Sequence, residues 1–148
     1  MLKRFLSFFV IFFALKSAIS SQILFYGVVP QAHVEKASNE YNALENGLLD
    51  GGYEIGLISF DIRDSNEFSL ENALYAARSL AAKYVLVWNV LAPGRVSLKA
   101  YTSDGNLLAE ADANPAELGD KKDKTKSLSD LYFKFARDFV MELQGKLK

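Results

Sequence analysis

The run Tyr84–Leu91, YVLVWNVL, restricts the fold more than any other stretch of the chain. It is short, nearly continuous in apolar residues and rich in β-branched and aromatic side chains, which reads as a buried strand. As the most apolar strand, it is expected at the centre of a sheet. A second run of this kind, ILFYGVV (Ile23–Val29), ends at Pro30. Between the two, the pattern changes period. Val34, Ala37, Tyr41, Leu44 and Leu48 recur at spacings of three and four, the mark of one face of a helix. That helix is expected over 31–49, stopped by Asp50–Gly51–Gly52, because glycine accepts the left-handed conformation that follows helix ends. YEIGLISF (Tyr53–Phe60) is then predicted as a strand and DIRDSNEF (Asp61–Phe68) as a polar loop.

Ser69 is placed to cap a second helix, with Glu71 favoured in its first turn by the helix dipole. Small residues, Ala73, Ala77 and Ala81 among them, let that helix lie close to a sheet. After the central strand, Ala92–Pro93–Gly94 has proline and glycine in the order of a type II turn. RVSLKAYTS alternates, with Val96, Leu98 and Ala100 on one face and Ser97, Lys99 and Tyr101 on the other, and suits a strand with one wetter face. Asp104–Gly105 is a hairpin signal, and NLLAEADA returns as the fifth strand. A polar loop, 114–126, leads to Ser127, whose spacing to Asp130 opens the last helix. Leu128, Leu131, Tyr132, Phe135, Ala136, Phe139 and Leu143 are expected on its inner face. The predicted fold is α/β: a mixed five-stranded sheet with three packed helices in the order β-α-β-α-β-β-β-α. Helical crossovers make the first three strands parallel in sense, and the two tight turns make the others antiparallel.

The amino terminus speaks to location. Lys3 and Arg4 precede an apolar core of 11 residues, Phe5–Leu15, followed by Ala18 and Ser20, small residues two apart. That is the layout of a secretory signal peptide, expected to be cut after Ser20. A membrane span takes roughly 20 apolar residues, and this core is much shorter; an uncleaved anchor is the competing reading, and no stable membrane insertion is expected after cleavage. Residues 1–20 are thus assigned to the signal and 21–148 to one α/β domain. The chain has no cysteine, which excludes a lipoprotein anchor, disulfide staples and thiolate metal sites. A periplasmic location fits this composition. Without the leader, 14 basic residues stand against 18 acidic ones, a net charge of −4, with no clustered basic footprint for nucleic acid.

The stretches ALYAARSLAAKYVLVWNV and RVSLKAYTSDGNLLAEA resemble the second half of the TolB amino-terminal domain, a small fold also present in the curli secretion protein CsgG and the penicillin-binding-protein activator LpoB. The shared features are a small-residue helix running into AKYVLV and two strands joined by an Asp-Gly turn. The resemblance implies this α/β fold and a place in the cell envelope, without implying a particular partner. The anchoring cysteine of the lipoprotein members has no counterpart here.

Candidate chemistry is sparse. His33 is the only histidine. It reads as a helix-start residue rather than an acid–base group, and it has no second histidine or cysteine with which to hold zinc. Asp61, Asp64, Glu67 and Glu71 could pair as acid and base. A solvated loop that favours a helix start explains them without a site, and their spacing lacks the glycine and terminal glutamate of a calcium loop. GDKKDKTKS (Gly119–Ser127) lacks the ending of a phosphate-binding loop. No cofactor and no enzymatic activity are expected.

Partner surfaces remain. One is the edge strand made by the final hairpin, able to accept another strand. The other is a shoulder of the last helix, where Phe133, Val140 and Leu147 fall at one border of the inner stripe at about 100° per residue. The chain is therefore read as a non-enzymatic, periplasmic protein-interaction or scaffold domain, binding other envelope proteins or copies of itself. Peptidoglycan synthesis, secretion and the flagellar motor are compatible settings. The alternative is a small-ligand-binding domain with Trp88, Tyr101 and His33 around a pocket.

Overall fold

The structure, a computed structural model, describes residues 21–29, 38–65, 68–92, 94–119 and 126–147. The signal segment, His33, Glu67 and most of the lysine-rich loop lie outside the described residues. The strands are β1 (Gln22–Val28), β2 (Ile58–Asp64), β3 (Tyr84–Ala92), β4 (Arg95–Thr102) and β5 (Leu107–Ala113). The helices are α1 (Ser38–Glu54), α2 (Leu70–Ser79) and α3 (Leu128–Leu143), with a 3₁₀ turn at Pro115–Glu117. The strands form one mixed sheet in the order β2-β1-β3-β4-β5. β1 pairs in parallel with β2 and β3, while β3–β4 and β4–β5 are antiparallel. The architecture and element order are those predicted, and β3 is the central strand.

Two of the boundaries differ. α1 runs through Asp50–Gly51–Gly52 to Glu54 and is ended instead by Gly56, at φ +77°. Leu57 N donates to Gly52 O at 2.8 Å and Gly56 N to Tyr53 O at 3.1 Å, which closes the helix in a Schellman motif. Gly51 and Gly52 are packing positions: a Cβ on Gly51 would lie 2.9 Å from Val140 Cβ, and one on Gly52 would lie 2.6 Å from Ser59 Oγ. The longer helix displaces β2 toward the carboxy terminus. Tyr53 becomes an exposed helical residue, and Asp61–Asp64, expected in a loop, complete the strand.

The sheet is covered unequally. Ile23, Phe25, Leu86, Trp88, Val96 and Leu98 face α1 and α3, against Tyr41, Leu44, Leu48, Tyr132, Phe139 and Leu143. Leu24, Tyr26, Val28, Val85, Val87 and Tyr101 face the shorter α2, against Ala73, Leu74 and Ala77. Each large apolar side chain buried in this way contributes roughly 1.5–3 kcal/mol. Both predicted caps are present. The Ser69 hydroxyl accepts from Asn72 N at 3.3 Å. Ser127 and Asp130 form a reciprocal capping box, Ser127 N donating to the Asp130 carboxylate at 3.1 Å and Asp130 N to the Ser127 hydroxyl at 3.2 Å.

Candidate partner-binding surface

The buried stripe of α3 consists of Tyr132, Ala136, Phe139, Val140 and Leu143. It is turned relative to the predicted stripe, toward Val140 and away from Leu128, Leu131 and Phe135. The cause is α1, which packs alongside α3 across the glycines: a Cβ on Gly47 would stand 2.3 Å from the Phe133 carbonyl oxygen. Tyr41 meets Tyr132 edge-on in the same seam, with ring centroids 6.4 Å apart.

The shoulder expected from Phe133, Val140 and Leu147 is thereby corrected. Val140 is fully buried against α1, and Leu147 is half-buried and packed on the core. Phe133 is half-buried at the rim of the helix–helix seam. Sequence periodicity marks a border of the stripe on each side, and it does not say which border a second helix covers.

The opposite border is the open one. There, Leu131, Phe135 and Phe139 of α3 face Ala111 of β5 and Leu118 beyond the 3₁₀ turn across a cavity of about 380 Å³. Its rim carries Lys126, Lys134, Asp138 and Glu142, charges of both signs, and Lys134 pairs with Asp138. The groove exists because β5 is small on this face. Ala109 and Ala111 stand opposite Ala100 and Leu98 of β4 and share their face of the sheet, and their single methyl groups fill less of the space below α3 than larger side chains would. Leu118 is 61% exposed at the lip. β5 is also a terminal strand of the sheet, so the groove runs beside a sheet edge. The sequence signal for it is the alternation of alanine along Ala109, Ala111 and Ala113.

The acidic residues do not gather as the sequence suggested. Asp61 points toward α1 and Asp64 toward the other face, where the Tyr26 hydroxyl donates to it at 2.6 Å. Burial, helped by this carboxylate, pushes the Tyr26 hydroxyl up to about 12. Glu71 stands in the first turn of α2. Asp61 meets a carboxylate that sequence reasoning missed, Glu45 of α1. Partial burial, then the charge of Glu45 and a hydrogen bond to it, push Asp61 up to about 7, against the lowering influence of Arg63. Arg63 pairs with Glu45 at 2.8 Å, donates to Asn42 at 2.7 Å and lies 5.4 Å above the Trp88 ring. A carboxyl pair closed by an arginine is an arrangement that holds α1 to β2. Trp88 and Tyr101 belong to the cores on opposite faces of the sheet, so they do not line one pocket. Among the described residues, no three metal-ligating side chains gather and no helix is long and apolar enough to cross a membrane. No family model matches the chain, and no curated protein matches its sequence.

Proposed function

We propose that the chain is an exported protein-interaction domain of the bacterial cell envelope, a non-enzymatic accessory of a larger machine. The observation that carries this reading is the apolar groove between α3 and β5, opening beside a sheet edge. An extended segment of a partner can add to such an edge through its main chain while its side chains enter the groove. The mixed charges on the rim suit a partner with both signs. The signal-like leader supports export, and the resemblance to the TolB amino-terminal domain supports an envelope setting, with peptidoglycan synthesis, secretion and the flagellar motor as candidate machines.

Site-specific photo-crosslinking in the native host tests the proposal. A crosslinker at Leu118 is expected to give discrete protein adducts, while one at Tyr75, 74% exposed on α2, gives none. Leu107→Lys on the β5 edge is expected to abolish the Leu118 adducts without lowering the melting temperature. Equal adducts from both positions, or none from Leu118, refute the groove as the docking surface. A crosslinker at Phe133 reports whether the rim of the helix–helix seam also takes part.

A further inference from the structure

The second face of the sheet holds a cavity that the proposed partner surface does not use. α2 has only ten residues, and it packs on β1 and β3. The part of the same face built from β4 and β5 is left open, and a cavity of about 470 Å³ lies over it. That size falls within the range of roughly 300–1,000 Å³ common to small-molecule sites.

The lining brings opposite chemistries together. Asn89, Ser97, Lys99 and Glu110 supply a carboxamide, a hydroxyl, an ammonium and a carboxylate, and Phe68 and Leu91 supply apolar walls. Lys99 and Glu110 stand directly opposite each other on β4 and β5, and Asn89 stands opposite Ser97 on β3 and β4. Ser97 is the one buried polar residue in the described cores, with only 7% of its surface exposed. Among the described residues, none of these four polar side chains enters a hydrogen bond or an ion pair. Asp112, also on the rim, is already held by Arg95 at 2.9 Å and is not free for a ligand. Ser97 is buried in its carbon atoms and presents its hydroxyl to the cavity, where a bound polar group would take the place of water.

We propose that this cavity binds a small zwitterion, an amino acid or dipeptide with an apolar side chain. The ligand carboxylate meets the Lys99 ammonium and the ligand ammonium meets the Glu110 carboxylate. The Asn89 carboxamide and the Ser97 hydroxyl hydrogen-bond the polar backbone between the two charges. Phe68 and Leu91 cover the side chain. Each charge of the ligand thus finds its opposite on neighbouring strands of one sheet face. The site lies on the opposite face from the groove, so it stands or fails independently of the partner-binding reading.

A titration of the ¹⁵N-labelled full chain followed by NMR tests this, with L-alanyl-L-leucine as the probe and N-acetyl-L-alanyl-L-leucinamide as its uncharged counterpart. The dipeptide is expected to give saturable shifts of the backbone amides around Asn89, Ser97, Lys99 and Glu110. The blocked compound, Lys99→Met and Glu110→Gln are each expected to weaken binding at least tenfold, about 1.4 kcal/mol, with melting temperatures unchanged. Absence of saturable shifts at about 10 mM dipeptide, tenfold above a Kd of about 1 mM or about 4 kcal/mol of binding, overturns the proposal. So does equal binding of the blocked compound, or wild-type affinity in both variants.

Discussion

Gly47→Ala is expected to destabilise the fold, although the same change in an ordinary helix stabilises it. Gly47 lies in the interior of α1, where alanine is favoured over glycine by about 1 kcal/mol. In this structure, the added methyl would stand 2.3 Å from the Phe133 carbonyl oxygen and 3.0 Å from its carbonyl carbon. Unstrained carbon contacts fall at about 3.5–4.0 Å, so the helices must part by roughly 1 Å. The obstacle is backbone in the middle of α3, which has no rotamer to change. Parting the helices loosens Tyr41 from Tyr132 and opens the packing of Leu44, Leu48, Ala136 and Val140. Overpacking of this kind costs about 1–3 kcal/mol and occasionally more. With contact to backbone the upper end applies, so the net loss after the gain in helix propensity is about 2 kcal/mol. At about 2–4 °C per kcal/mol for a chain of this size, the melting temperature should fall by roughly 4–8 °C. Thermal melts followed by circular dichroism measure it, with Asn46→Ala as the control. Asn46 is the exposed neighbour on the same helix, and its replacement should raise the melting temperature slightly. A Gly47→Ala protein that melts at or above the wild type would refute the close α1–α3 crossing, and with it the reason Val140 is buried.

Two further outcomes follow from local features. Asp61, raised from 3.8 to about 7, binds its proton more tightly in the folded chain than in the unfolded one. Its contribution is therefore complete below about pH 4 and is lost as the pH rises through about 7. Because Asp61 stays exposed on one side, water screens the effect to about 1 kcal/mol. Melts of the wild type and Asp61→Asn between pH 4 and 8 should show the wild type losing stability relative to the variant as the pH rises, and a relative gain would refute the Glu45–Asp61 contact. Ala81 ends α2 at φ +54°, in the left-handed region, with Ala82 N donating to Ala77 O at 2.8 Å. A side chain there costs roughly 1–2 kcal/mol, so Ala81→Gly should raise the melting temperature by about 2–8 °C, whereas an unchanged or lower value would show that Ala81 carries no strain.

The sequence made the architecture legible where local signals and tertiary packing agree. The β3 run, the Asp104–Gly105 turn and the Ser69 and Ser127 caps are each set by a few adjacent residues, and each appears where expected. Gly51 and Gly52 show the opposite case. Two consecutive glycines are a local stop signal, but Gly51 gives α3 a side-chain-free surface and Gly52 does the same for Ser59 and Phe25 of the sheet, and that tertiary demand carries the helix five residues past the expected end. Everything downstream shifts with it: Tyr53 leaves the core, and Asp61 and Arg63 enter β2. The carboxyl pair of Asp61 and Glu45 was illegible for this reason, since it appears only once β2 has its true register beside α1. The shoulder of α3 failed differently. The helical period places Phe133 and Val140 on one border of α3, with Leu147 beyond the helix end at Leu143, but only the position of α1 decides whether that border meets solvent or another helix.

That asymmetry also distinguishes the two sheet edges. β2 carries charged residues on both faces, Asp61 and Arg63 toward α1 and Asp64 toward α2, and Arg63 is held by Glu45 and Asn42. Inward-pointing charge on an edge strand opposes the addition of another strand, because an incoming chain would have to desolvate it. β5 has its charges, Glu110 and Asp112, on the second face only, and on the first face it presents alanines to the groove. A strand added at β5 would extend the α3-facing surface of the sheet over apolar side chains and leave both acids in water. The edge pairing that the Leu107→Lys variant interrogates is thus favoured at β5 by the same feature that forms the groove, and opposed at β2 by the Glu45–Arg63–Asp61 cluster. A β2 without that inward charge, made as the Asp61→Asn, Arg63→Met double variant, should self-associate at concentrations where the wild type does not, whereas no change in oligomeric state would show that charge does not guard this edge.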